Sequence, residues 1–136
     1  MEINNEIMSI MKQDTEETVY ALSLVDRESK VAMYNAITNP TKLMSENVGD
    51  VLEVKNFAIT PVTLEDDKTH EILTLPRTVI LCQDNTSYSA TSVGIYNSIK
   101  TICSLFEDEF ADGELKVKIK QKTTRNGNKT LILEVV

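Results

Sequence analysis

"SYSATSVGIYNSIKTICSLF", from Ser87 to Phe106, changes its period halfway. "SYSAT" (Ser87–Thr91) has the composition of a short strand. Beyond it, Ile95, Ile99, Ile102, Cys103 and Phe106 fall at i, i+4, i+7, i+8 and i+11. That spacing is one face of an α-helix of about four turns. Ser92 stands where an N-cap belongs, and Gly113 in "EDEFADGE" is a plausible stop. A short strand therefore runs into a helix, and the segments on either side decide the fold.

Upstream, "DVLEVKNFAITPVTL" is long and β-like, but its phase slips. Leu52 and Val54 share one parity, Phe57 and Ile59 the other. A one-residue slip within a strand is what a β-bulge produces, and it bends the strand. "HEILTLPRTVILC" is a second β run, with Pro76 marking an edge or bulge. The turn "QDNT" then leads to "SYSAT".

Downstream, "LKVKIKQKTTRNGNKTLILEV" (Leu115–Val135) reads as a hairpin. Asn126-Gly127 invites a two-residue turn, but that register places Ile119 opposite Glu134 and mixes the faces. A three-residue loop, Arg125-Asn126-Gly127, with Gly127 in the left-handed region, pairs Val117 with Val135, Ile119 with Leu133 and Gln121 with Leu131. Burial of one face favours this second register. Lys118 then faces Glu134.

The order is a bent strand, a strand, a short strand, a helix and two strands. A helix between the third and fourth strands of a five-stranded antiparallel set is the arrangement of an OB barrel. The predicted class is mainly β, with the barrel over residues 48–136 inside one OB-like domain of residues 15–136. Before it, "ETVYALSLV" and "KVAMYNAI" alternate like strands around the turn "DRES", which predicts an accessory hairpin over residues 15–38. Ile3, Ile7, Ile10 and Met11 predict a short helix or docking tail over residues 1–14.

Charge supplies the functional clue. The 136-residue chain has 21 acids against 14 Lys and Arg, a formal net charge of -7. Yet the closing hairpin carries six basic residues and one acid. Lys116, Lys118, Lys120 and Lys122 occupy alternate positions and so leave one face of a strand. Arg125 and Lys129 extend them around the loop, and Arg77 is a further cation on the second barrel strand. Such a row is an electrostatic grip for a phosphate chain. It is equally how a solvated strand face looks, and edge lysines also prevent sheet-to-sheet aggregation.

Single strands bind by stacking as well as by charge, so aromatics matter. Tyr88, flanked by serines on the third strand, is expected to be half-exposed and to contact a base. Tyr34 and Phe57 are further candidates. Phe106 belongs to the helix's apolar face, with Tyr96 at its margin.

Other chemistries find little support. With four Gly there is no phosphate-cradling loop, and with His70 alone no Ser-His-Asp or His-Cys set. Cys82 and Cys103 lie in no CxxC pair and read as buried thiols. No metal or cofactor is expected. Glu65, Asp66 and Asp67 in "EDDKTHE" read as a solvated acidic turn. No apolar run approaches the roughly 20 residues of a membrane span, so a cytoplasmic protein without membrane contact is expected.

"MYNAIT", the long strand after Gly49-Asp50, "DNTSYSATSVGIYNSIK" and "KVKIKQKTTRNGNKTLILEV" together resemble the single-stranded DNA-binding proteins of tailed phages that replicate linear DNA by protein priming. In that family an aromatic-Asn-Ala step precedes the barrel. A Tyr-Ser-Ala-x-Ser step opens the segment before the helix, and a lysine-alternating strand with a polar turn closes the chain. The resemblance spans residues 30–136. It implies an OB-type protein, not an enzyme, that coats strands displaced during phage replication, with Tyr34, Tyr88 and the Lys116–Lys122 row as contacts. A monomer or weak homo-oligomer is expected, with replication proteins as further partners. The competing reading is a phage interaction module that engages a host protein through its acidic surface, which the acids at residues 1–28 and 107–114 favour.

Overall fold

A register shift between Val54 and Asn56 confirms the bulge that the phase slip predicts. The computed structural model describes residues 19–20 and 26–136. The elements are β1 (Val19–Tyr20), α1 (Arg27–Thr38), β2 (Lys42–Leu43), a 3-10 turn (Met44–Glu46), β3 (Val51–Glu65), β4 (Ile72–Cys82), β5 (Ser87–Thr91), α2 (Val93–Leu105), α3 (Glu107–Ala111), β6 (Lys116–Thr123) and β7 (Lys129–Val135). The strands lie in the order β2-β5-β4-β3-β6-β7, and β1 also pairs with β3.

The bulge lets β3 serve two halves of the sheet. Before it, Val51–Glu53 pair with β6; after it, the strand pairs with β4 out to Glu65. The bend keeps Leu52, Val54, Phe57 and Ile59 all in one core, although their parity changes. The result is a curled sheet of six strands in series with β1 added on β3, a half-barrel with a helix between strands, consistent with the OB-like class. Among the described residues β5 and β7 do not pair, and α2 packs against β7 and β4.

Helix α2 forms where the spacing places it. Ser92 Oγ accepts the Ile95 N–H at 3.2 Å, and Ile95, Ile99, Ile102 and Cys103 enter the core. Two small residues bring it against β7. A Cβ on Gly94 would collide with the Leu131 carbonyl and the Thr130 hydroxyl. Ser98 Oγ accepts the Leu133 N–H at 3.1 Å and donates to the Gly94 carbonyl at 2.9 Å. One hydroxyl thus satisfies an edge-strand donor that would otherwise lack a ladder partner.

The segment before the barrel differs from the expected hairpin. "KVAMYNAI" belongs to helix α1, and "DRES" is that helix's start: Asp26 Oδ1 accepts the Ser29 N–H at 2.7 Å as an N-cap. Met33 and Ala36, with Ala32 and Ile37 beside them, pack on Ala58, Val79 and Leu81. Those three lie on the face of β3 and β4 opposite the barrel core, so the sheet is covered on both sides there. Val19 and Tyr20 pair with Ile59 and Ala58 of β3. The helix expected over residues 1–14, and the rest of "ETVYALSLV", lie outside the described residues.

Among the described residues, β3 and β4 continue beyond their other neighbours paired only with each other. Pro61 faces Pro76 in their register. Neither proline can donate, so they fit only a pair that exchanges no N–H···O bonds. At the turn between them, Asp66 Oδ1 accepts the N–H groups of Lys68 (2.8 Å) and Thr69 (3.0 Å).

The closing hairpin has the expected register: Val117 faces Val135, Ile119 faces Leu133 and Gln121 faces Leu131. The Thr124 N–H bonds the Asn128 carbonyl at 2.7 Å, which leaves Arg125, Asn126 and Gly127 as the loop, with Gly127 at φ 80°.

Candidate nucleic-acid interface

Burial of Val117 and Ile119 turns Lys116, Lys118, Lys120 and Lys122 to the outer face of β6. At about 3.3 Å per residue the four span roughly 20 Å. They are not equivalent. Lys116 Nζ lies 3.7 Å from Glu53 Oε1, and Lys120 Nζ lies 3.9 Å from Glu134 Oε2. Glu134 faces Lys118 in the register, yet its carboxylate reaches the diagonal neighbour Lys120. Diagonal positions lie about 7–8 Å apart, within reach of long side chains. Among the described residues no ion pair engages Lys118, Lys122, Arg125 or Lys129. The two pairs that form are solvent-exposed, and exposed pairs contribute about 0–1 kcal/mol, a hold that a phosphate chain can displace.

The row has two different ends. At the Lys116 end lies a cleft whose lining includes Lys42, Glu53, Asp84 and Tyr88. Each cation there has an acid: Glu53 for Lys116, and Asp50 for Lys42 at 3.7 Å. Asp84 adds another carboxylate, held below its ordinary range by hydrogen bonding from Thr86. At the other end, Lys122 and Arg125 line a groove against α2 that has no carboxylate in its lining. The positive field therefore grows toward the hairpin loop.

The aromatic candidates divide. Tyr88 is buried, only 6% exposed, not half-exposed as expected. It sits opposite Ile80 and shares the core with it. Its hydroxyl donates to Asp50 Oδ2 at 2.8 Å, and Lys42 Nζ stands 5.5 Å from the ring centre. Burial, then the Asp50 bond, pushes the phenol up to about 12. The flanking serines face the other way, where Ser87 Oγ accepts the Thr41 N–H at 2.9 Å. Phe57 is also core, with its ring centre 5.4 Å from that of Phe110. Neither ring presents an open face to a base. Tyr34 does: it is 66% exposed on the outward side of α1.

Arg77 is half-buried, and its guanidinium donates to the Ile37 carbonyl at 3.1 Å, capping the end of α1. The structure thus brings together the hairpin cations, sets Arg77 and Phe57 apart from them, and leaves Tyr88, its ring buried, on the wall of the cleft that Lys116 also lines. Lys42 was not among the sequence candidates. It lies in the connector between α1 and β3, where no periodicity marks it.

Cys82 and Cys103 are buried and unpaired, and burial pushes both thiols up to about 12. Among the described residues no cluster of three or more His, Cys, Asp or Glu side chains is placed to hold a metal ion. No described helix is long and apolar enough to cross a membrane.

A family model described as "Phage Single-stranded DNA-binding protein" matches residues 12–136. Neither the curated proteins nor the solved structures compared with the chain give a match.

Proposed function

The chain belongs to the phage single-stranded DNA-binding protein family, and on that premise we propose that it coats strands displaced during phage DNA replication, gripping their phosphates with the outer face of β6 and the adjoining loop. The observation that carries this reading is the lysine row: alternate cations on one strand face, with Lys118 and Lys122 outside any ion pair among the described residues. Phosphates are the one feature every strand shares, so such a grip tolerates any sequence. The acidic remainder of the chain keeps it soluble and repels polyanions elsewhere on its surface. Tyr34 supplies the open ring on which a base can stack.

Titration with thymidine oligomers at rising salt tests the reading. The logarithm of the binding constant should fall linearly with the logarithm of salt concentration, as counterions released from phosphates require. Binding that ignores salt, or no binding at low salt, contradicts it.

A further inference from the structure

We propose that the groove between α2 and the β6–β7 hairpin receives a base of the bound strand. This inference rests on the phosphate-gripping role of β6 and adds where the strand goes beyond the row. The groove is contiguous with the row, because Lys122 is both its last outward lysine and part of the groove wall. Its volume of about 670 Å³ lies within the roughly 300–1,000 Å³ of small-ligand clefts.

The lining suits a nucleobase. Ile132, half-buried on β7, supplies apolar surface for a flat ring. Asn97 supplies an amide for its polar edge, and the Thr101 hydroxyl, which donates its proton to the Asn97 carbonyl at 3.1 Å, supplies an acceptor. Lys122 and Arg125 supply charge for the flanking phosphates. The cleft at the Lys116 end has the opposite character, since Glu53 and Asp84 there offset Lys42 and Lys116. Of the two, only the loop-end groove favours a polyanion's passage.

The walls are also fixed in place before any ligand arrives. Gly94 allows the first turn of α2 to touch β7, and Ser98 bonds the Leu133 N–H. A preformed cleft orders a base at less entropic cost than one that must assemble.

The test uses two exposed positions on α2, Thr101→Leu, which fills the groove without adding charge or a ring, and Asn97→Ala, which removes the amide. Thymidine oligomers and wholly abasic sugar-phosphate oligomers of equal length are titrated against each. Both variants should bind the thymidine oligomer about fivefold or more weakly, as loss of one base contact implies. Their salt slopes should match wild type, and so should their affinities for the abasic oligomer. Wild-type affinity for thymidine oligomers in both variants overturns the proposal. So does an equal loss on both oligomers, or a changed salt slope, either of which would place the effect on the phosphate path. Failure of the phosphate role itself would show separately, as an unaltered salt slope when Lys118 and Lys122 are removed.

Discussion

The Tyr88 hydroxyl donates a 2.8 Å hydrogen bond to Asp50 Oδ2, which fixes the ring inside the barrel and ties β5 to the residue that leads into β3. The tyrosine in "SYSAT" is therefore a structural strut. Tyr88→Phe should lower stability by about 1 kcal/mol, the net worth of one hydrogen bond, and leave oligomer affinity unchanged. Tyr88→Leu should lower stability further through lost ring packing, again without changing the affinity of the folded fraction. Chemical denaturation paired with oligomer titration checks both. Lost binding with unchanged stability in either variant would return Tyr88 to the interface.

Alkaline pH should weaken the fold in a defined window. The Tyr88 phenol rises from 10.0 to about 12, and the Cys82 and Cys103 thiols from 9.0 to about 12, burial leading in each case. The folded state holds these protons more tightly than the unfolded state. Their contribution is thus fully present below about pH 9 and is lost as pH rises from there to about 12. Each group adds a slope of up to about 1.4 kcal/mol per pH unit while only the unfolded state is deprotonated. Denaturant midpoints measured under reducing conditions should hold to about pH 9 and then fall. The fall between pH 10 and 12 should be shallower in Tyr88→Phe. Equal midpoints at pH 8 and 11 would contradict this.

The seam between α2 and β7 should resist even one added methyl group. Gly94→Ala gains roughly 1 kcal/mol of helix propensity, but its Cβ meets the Leu131 carbonyl. Overpacking of about 1–3 kcal/mol should prevail. Ser98→Ala leaves the Leu133 N–H without its partner and should cost about 1–3 kcal/mol. A Gly94→Ala protein more stable than wild type would show that the helix and strand do not touch as described.

Tyr34 is the open ring among the sequence candidates. Tyr34→Ser on the exposed side of α1 should leave stability within about 0.5 kcal/mol and weaken oligomer binding by about 1–3 kcal/mol. Unchanged affinity would remove stacking on α1 from the account.

Much of the barrel was legible because each signal there is local. The parity slip from Val54 to Phe57 marks the bulge, the change to helical spacing at Ile95 marks α2, and an apolar inner face from Val117 to Val135 selects the hairpin register. Helix α1 was not, because "KVAMYNAI" carries both periods. Its helical set of Ala32, Met33, Ala36 and Ile37 gains its advantage only from Ala58, Val79 and Leu81, which are distant in sequence. Tyr88 misled for a related reason. Small serines beside it suggested solvent, but Ser87 is small and polar where the Thr41 segment approaches and bonds it. The partner of Glu134 depends on which way a side chain leans, which register alone does not specify. The groove at the loop arises from α2 and β7 meeting across the open side of the sheet, so no single stretch announces it.

The salt dependence of binding after removal of Lys118 and Lys122 tests the central claim most directly. These are the two row members outside the Glu53 and Glu134 ion pairs. With Lys118→Ala and Lys122→Ala combined, the chain should fold normally and bind thymidine oligomers more weakly. The log–log salt slope should shrink in magnitude by roughly 1.4, at about 0.7 per phosphate contact on a single strand. The paired lysines, replaced as Lys116→Ala and Lys120→Ala, should reduce it less. A double variant of Lys118 and Lys122 with the wild-type slope would mean that the row is only a solvated strand face, and would contradict the account.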